Sequence, residues 1–281
     1  IGSGAEEFVL DVKGQPLPMH EARTRHGQAF GYAASPTGAD HMHNIWDEGL
    51  ARERLGEVWK GLGIYEPVPQ TELNPHKIRA YIVETSRRWL MNAVSSCAFI
   101  PWSRSQVPEL VKSITGWRTN IYELLKVGER CVTMARVFNM REGLTRDDDV
   151  LPPRLALSHV TRTLNEKPVD PAVLEEMLSV YYGMMGWDPQ TGEPSAAKLH
   201  ELDIAWVAES VEPSSSSRSS DGGIVSRWLA GIVIAVLVIG GLGCDRASGR
   251  FVAGQDDIIV ARRPGPVYDQ LYPYYVELCA V

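Results

Sequence analysis

A mainly α-helical domain is the fold this sequence predicts. Apolar residues recur at steps of three and four across most of residues 74–201. Asn-Pro and Asp-Pro helix-start pairs stand directly ahead of two of those stripes. Period-two alternation is confined to a short stretch near the beginning. With 281 residues, 44% hydrophobic and 22% charged, the composition is that of an ordinary globular chain. The length suits one large domain or two smaller ones.

The first element is extended. Through about Gln15, the apolar Phe8, Leu10 and Val12 alternate with charged neighbours. Leu17-Pro18-Met19-His20 then leads into a Gly- and Ala-rich region from Gly27 to Asp40, whose prolines and glycines indicate loops and helix ends. Asn74-Pro75 supplies an N-cap and a proline at the first helical position, where its missing N–H costs nothing. Ile78, Tyr81, Ile82, Thr85 and Trp89 follow on one face. A second helix opens near Ser105. A third runs from about Thr119 with Ile121, Leu124, Leu125, Val132 and Ala135 as its stripe. Asp170-Pro171 starts a fourth, with Val173, Leu174, Met177, Leu178 and Tyr181 inward, and a short one begins at Ser195.

The organisation changes at Pro213. Ser214 to Ser220 is a serine run broken once by Arg218, and Asp221-Gly222-Gly223 follows, which makes residues 213–223 a flexible Ser/Gly linker. Residues 224–244 are an apolar segment, and Trp228 to Cys244 contains no charge. Three readings fit it. A spanning helix needs about 20 apolar residues, slightly more than this run supplies. A buried strand ending in Gly240-Gly241-Leu242-Gly243 accommodates the β-branched run, and a lipoprotein-type signal would end at Cys244, with Gly241 a poor fit. Residues 245–281 form an unassigned tail. The chain opens at Ile1 without a secretory pattern and stops mid-pattern at Tyr274 to Cys279, so the expectation is a fragment or a processed chain. The abrupt break at Pro213 also fits a tail joined from unrelated sequence by a frameshift.

Charge and cysteine usage narrow the function. The net charge is −7, and residues 213–281 carry six Arg and six acidic groups, so residues 1–212 hold the whole excess. An acidic body argues against nucleic-acid binding, which relies on clustered Lys and Arg. A small molecule or a protein is the expected partner. Cys97, Cys131, Cys244 and Cys279 are far apart, and no CxxC pair exists, so local spacing assembles no complete zinc or iron–sulfur site. The body reads as reduced and cytoplasmic, with membrane anchoring the alternative if residues 228–244 span a bilayer. Cys131 lies on an apolar stripe and reads as a core thiol. Asp147, Asp148 and Asp149 point apart on any regular element, which favours turn and cap duties over metal binding. For Arg141 and Arg146, contact with an anion and ion pairs with the neighbouring acids fit equally well. Trp89, Trp102, Trp117 and Tyr122 read as core aromatics.

Three stretches carry more than helical periodicity. The first is Val12-Lys13-Gly14-Gln15-Pro16-Leu17-Pro18-Met19-His20, followed by Gly31-Tyr32-Ala33-Ala34-Ser35-Pro36-Thr37-Gly38-Ala39-Asp40-His41. The second runs from Phe138-Asn139-Met140-Arg141-Glu142-Gly143 through Asp149 to Leu151-Pro152-Pro153-Arg154, and the third is Leu178 to Trp187. In order and spacing these resemble the helical C-terminal part of the aldehyde ferredoxin oxidoreductases, over about residues 7–210. The tail after Pro213 shows no such resemblance.

That family binds tungsten through two pterins and carries a 4Fe–4S cluster, so the resemblance implies a tungstopterin (tungsten or molybdenum bis-pterin) and a cluster as cofactors. Cys97 in Asn92-Ala93-Val94-Ser95-Ser96-Cys97 falls at the position of the fourth cluster ligand. The usual pattern resembles Asp-x-x-Gly-Leu-Cys. Asn92 therefore stands for an acid that contacts a pterin, and Ser95 and Ser96 stand for Gly and Leu. Asn still donates and accepts hydrogen bonds but carries no charge. His41 matches the histidine beside the metal, where an imidazole can move a proton; a slipped alignment would select His43. The implied reaction oxidises an aldehyde to a carboxylate and passes electrons through the cluster to ferredoxin. It requires a missing N-terminal half, so the chain alone is expected to be inactive. The competing expectations are a non-catalytic helical scaffold and a membrane-tethered redox subunit.

Overall fold

A computed structural model describes residue 4, residues 8–158 and residues 167–210. The linker at 213–223, the apolar segment 224–244 and the tail 245–281 lie outside the described residues, as do His159, Cys244 and Cys279. No helix among the described residues is long and apolar enough to cross a membrane.

The fold is mainly α. Two strands among the described residues, β1 (Asp11–Val12) and β2 (Gln15–Pro16), form an antiparallel hairpin with Val12 opposite Gln15. Extended structure therefore does not run unbroken to Gln15. Lys13 and Gly14 both take positive φ and reverse the chain. Among the described residues seven α-helices follow: α1 (His26–Ala34), α2 (Glu57–Lys60), α3 (Pro75–Ala93), α4 (Gln106–Thr115), α5 (Ile121–Arg141), α6 (Pro171–Met185) and α7 (Ala196–Glu201).

The helix starts follow the local chemistry. Asn74 accepts from the Lys77 amide ahead of Pro75, and Asp170 accepts from the Ala172 amide ahead of Pro171. Asn120 and Glu123 form a reciprocal capping box at α5, and Ser195 caps α7. Helix α1, all nine residues of which are buried, has no side-chain cap of its own. A distant carboxylate supplies one: Asp47 accepts from the Gly27 and Gln28 amides, both at 2.9 Å. It is neutralised by the equally buried Lys77, whose ammonium also reaches the Pro69 and Gln70 carbonyls. Burial pushes Lys77 below the ordinary lysine range, against the attraction of Asp47.

The centre of the molecule is α3 against α5, with α6 packed on α3. Ile78, Tyr81, Trp89 and Leu90 of α3 meet Leu124, Val127, Cys131 and Val132 of α5 in one core that also takes Leu174, Leu178, Tyr181 and Tyr182 of α6. Each such side chain contributes about 1.5–3 kcal/mol by leaving water. Gly128 sets the spacing of the α3–α5 pair, because a Cβ there would lie 1.8 Å from the Ser86 carbonyl oxygen. A second, smaller core holds Val12, Tyr32, Ala39, Leu155 and Val169, fixing the hairpin and the loop after α1 to the body.

The aromatic expectation needs correction. Trp89 is core, and Trp102 is half-buried against it, but Trp117 and Tyr122 are exposed, Tyr122 by 67%. The left-handed turn at Gly116 ends α4, and Tyr122 sits in the first turn of α5, before that helix reaches the core.

Candidate functional site

The loop after α1 is built to be rigid. Asn139 of α5 donates to the Pro36 carbonyl at 2.7 Å, and Gln15 of the hairpin donates to the Ala39 carbonyl. Gly38 sits at φ +87° with its α-carbon turned against the Val12 carbonyl, where an added Cβ would come to 2.2 Å. The fully buried Asn44 donates to the Gln28 and Asp40 carbonyls and accepts from the Ile45 amide. Hydrogen bonds thereby tie the Ser35–Asn44 segment to α5, to β2 and to α1.

On this loop the polar side chains sort into two groups. Asp40 accepts from the Met42 amide at 2.6 Å and from His43 Nδ1. The other ring nitrogen of His43 meets the Asn92 side-chain amide on the last turn of α3, and the ring stacks on Trp89 at 4.5 Å between centroids. Arg88, one turn before Asn92, donates to the Met42 carbonyl at 3.0 Å. Burial raises the Asp40 pKa, but the hydrogen bond and charge of His43 and two backbone amides outweigh it and leave the carboxyl below its ordinary value. The second group is His41, His20 and Trp46, with ring centroids 5.1 Å apart between His20 and each of the others, and Arg25 over the Trp46 ring. Burial, then the charges of His41 and Arg25, hold His20 below the ordinary histidine range. This group borders an open cleft lined by Met19, His20, Glu21, Arg25 and Gln70. Asn92 is thus joined to His43, while His41 stands with His20.

Cys97 lies on the loop that leaves α3. Val94 caps the helix, Ser95 takes a left-handed φ of 56°, and the Ser95 and Ser96 amides return to the Asn92 and Met91 carbonyls, both at 2.9 Å. Ser95 stands where the family pattern has Gly, the residue such a position favours. Trp102 donates to Ser96 Oγ at 3.1 Å, which closes the loop. The Cys97 thiol is free and exposed, and Phe99 and Ile100 beside it are exposed too, Phe99 by 88%. Cys131, by contrast, is fully buried, and burial pushes its thiol up to about 12. Among the described residues no group of three or more His, Cys, Asp or Glu side chains is placed to hold a metal ion.

A third constellation has no local signature in the sequence that joins its members. Lys13, at the tip of the hairpin, enters the body and pairs with Asp149 at 2.7 Å, their side chains 2% and 1% exposed. Arg136 pairs with the other Asp149 oxygen at 2.8 Å and lies over the Tyr182 ring, while the Tyr182 hydroxyl also donates to Asp149. Lys13 donates in addition to the Ala33 carbonyl. Each of the three motif stretches contributes to this buried cluster. Asp148, next in sequence, does the cap duty expected of the acidic run by bonding back to Thr145. Arg146 pairs with Glu175 on α6 and not with its acidic neighbours. The signal was present in the single Lys of a Lys-Gly turn and in an acid adjoining Val150-Leu151, but no local rule joins residues so far apart.

Comparison with known proteins agrees with this architecture. The family model for aldehyde ferredoxin oxidoreductase, domains 2 and 3, matches residues 1–204. The tungsten-containing aldehyde ferredoxin oxidoreductase of Thermococcus kodakarensis is 28% identical over 205 residues, covering 72% of this chain and 32% of that protein. Those of Pyrococcus furiosus and Pyrococcus abyssi are 28% and 27% identical over 205 and 201 residues. The chain thus spans about a third of the length of these relatives. Among solved structures, the active-site complex BamBC of benzoyl coenzyme A reductase, bound to 1,5-dienoyl-CoA, shares the fold. The TM-score is 0.53 at 18% identity, covering 74% of this chain and 35% of that one.

Proposed function

The chain belongs to the aldehyde ferredoxin oxidoreductase family, as a counterpart of its domains 2 and 3, and from that premise we propose that it is the helical part of a tungstopterin- and cluster-dependent aldehyde oxidoreductase. The observation that carries this reading is the end of α3, where an exposed amide, Asn92, and an exposed free thiol, Cys97, lie five residues apart. The exposed Phe99 and Ile100 beside Cys97 are apolar surface of the kind a partner covers. The relatives' additional length supports a missing N-terminal half as that partner.

A tungstopterin, when bound, supplies the oxidation of an aldehyde to a carboxylate, and a 4Fe–4S cluster passes the electrons singly to ferredoxin. This chain's own residues hold and orient. Cys97 would give one thiolate to the cluster; a thiol on the surface of a short, closed loop fits that duty, and the three remaining ligands must come from outside the described residues. Asn92 would bond a pterin edge. His41, in a half-buried cluster of rings, would hold or move a proton at its imidazole nitrogen. The reaction belongs to both halves together, so the chain alone should show no aldehyde turnover with a dye acceptor. The compartment we propose is the cytoplasm, in keeping with only four widely spaced cysteines in so long a chain. A tether through residues 228–244 is the alternative that membrane fractionation separates.

The test is metal content of the chain co-expressed with a complete N-terminal half. Tungsten with about four irons per complex, and loss of iron in Cys97→Ala, is the expected result. Iron absent from both would leave a helical scaffold that kept the fold and lost the chemistry. The serine at the left-handed Ser95 position is the observation that favours that second reading.

A further inference from the structure

We propose that His43 is a positioning residue that fixes the Asn92 amide, so that its carbonyl oxygen is the acceptor offered to a ligand with ring N–H donors. The ionised Asp40 carboxylate only accepts hydrogen bonds, so the His43 nitrogen that meets it, Nδ1, carries the proton. In the neutral ring the other nitrogen, Nε2, then has a lone pair and no hydrogen. Its partner is the Asn92 side chain, and only the amide N–H can satisfy it. One donor of Asn92 is thereby committed inward, which directs Oδ1 and the second N–H toward the exposed side.

Every member of the chain is held from behind. Trp89 stacks on the imidazole with the ring planes 28° apart. The Met42 amide holds Asp40, and Arg88 holds the Met42 carbonyl. Asp40 is itself seated on a loop fixed by Asn44, Gln15 and Asn139. A surface asparagine ordinarily rotates between its two amide orientations, and this one is given a single orientation by a buried-to-exposed relay. An acid at position 92 would offer an acceptor on both sides. The asparagine keeps the acceptor on the ligand side and, through His43, turns its donor to the protein. The pyrimidine edge of a pterin, which carries N–H donors, is the ligand class this acceptor suits. That identification rests on the proposed function, whereas the orientation of Asn92 does not.

The experiment separates the two. In the 15N-labelled full chain at neutral pH, a scalar coupling across an N–H···N hydrogen bond between Asn92 Nδ2 and His43 Nε2 is expected, and it should vanish in His43→Leu. No coupling, with a proton found on Nε2, would mean that Asn92 accepts from a charged ring, and would overturn the proposal. Wild type, His43→Leu and His43→Gln are then each co-expressed with a complete N-terminal half, and pterin per complex is measured after oxidative release. His43→Leu should load several-fold less pterin, and His43→Gln, whose amide oxygen replaces the Nε2 acceptor, should recover most of it. Circular dichroism melting shows whether each variant is folded. Equal loading of wild type and a folded His43→Leu would overturn the proposal. If wild type carries no pterin, the functional reading falls, and the coupling still decides the orientation of Asn92.

Discussion

Two polar constellations built on the same loop-and-helix framework behave in opposite ways. The Lys13–Asp149–Arg136–Tyr182 cluster is sealed, each charge facing another inside the protein. The Asp40–His43–Asn92 chain is open, running from a half-buried carboxylate to an exposed amide. A sealed network has no polar atom to offer a ligand and makes the fold specific. An open one has its last member unsatisfied by protein and available for binding. Burial of the terminal group is therefore the physical difference between the two polar chains in this molecule.

The contrast predicts a graded series of effects. The largest is Asp149→Ala, which strands Lys13 and Arg136 without a counterion inside the protein and should cost about 3–5 kcal/mol in urea unfolding. Burial already pushes Lys13 below the ordinary lysine range despite Asp149. A loss below about 1 kcal/mol would show the cluster to be hydrated and erase the comparison. Asp40→Asn comes next, at about 1 kcal/mol near neutral pH. Because the folded state depresses the Asp40 pKa, its contribution is complete above the unfolded carboxylate value, about 4, and fades as pH falls through the lower folded value. Urea midpoints of wild type and variant should therefore differ at pH 7 and converge in acid. A constant gap would show that something other than the charge is responsible.

Ser95→Gly should act with the opposite sign. Relief of the left-handed φ of 56° is expected to stabilise the chain by about 0.5–1 kcal/mol, read as a rise in melting temperature. The smallest effect belongs to Cys97→Ala. An exposed thiol on a loop should change stability by less than about 0.5 kcal/mol, even though the proposed ligand role expects the same change to remove iron from the assembled complex. A large loss of stability would move Cys97 from the open group to the sealed one.

Much of the fold was legible because its signals are local. Asn74, Asp170 and Ser195 act as the caps their residue types suggest, and the stripes of α3 and α6 face the core, as do Leu124, Val132 and Ala135 of α5, whereas Ile121 and Leu125 stay half-buried outside it. Helix α1 was not legible, since its sequence is rich in Gly and Ala and its cap, Asp47, comes from a later segment. At the candidate site the sequence singled out Asn92, Cys97 and the histidine-bearing loop. It did not show that Asn92 meets His43 while His41 joins His20, because two histidines separated by one residue are equivalent until the loop is folded.

The sequence by itself thus determined where helices begin, which faces they bury, and which family's motifs the body carries. Propensity, capping and period act over a few residues and need no distant partner. Only the tertiary structure decided that Gly128 sets the approach of α3 to α5, that Asp149 is a buried counter-charge, and that Asn92 meets His43. Each of those depends on a contact between segments more than ten residues apart, and burial, which fixes what a charge or an amide can do, exists only once those segments have met.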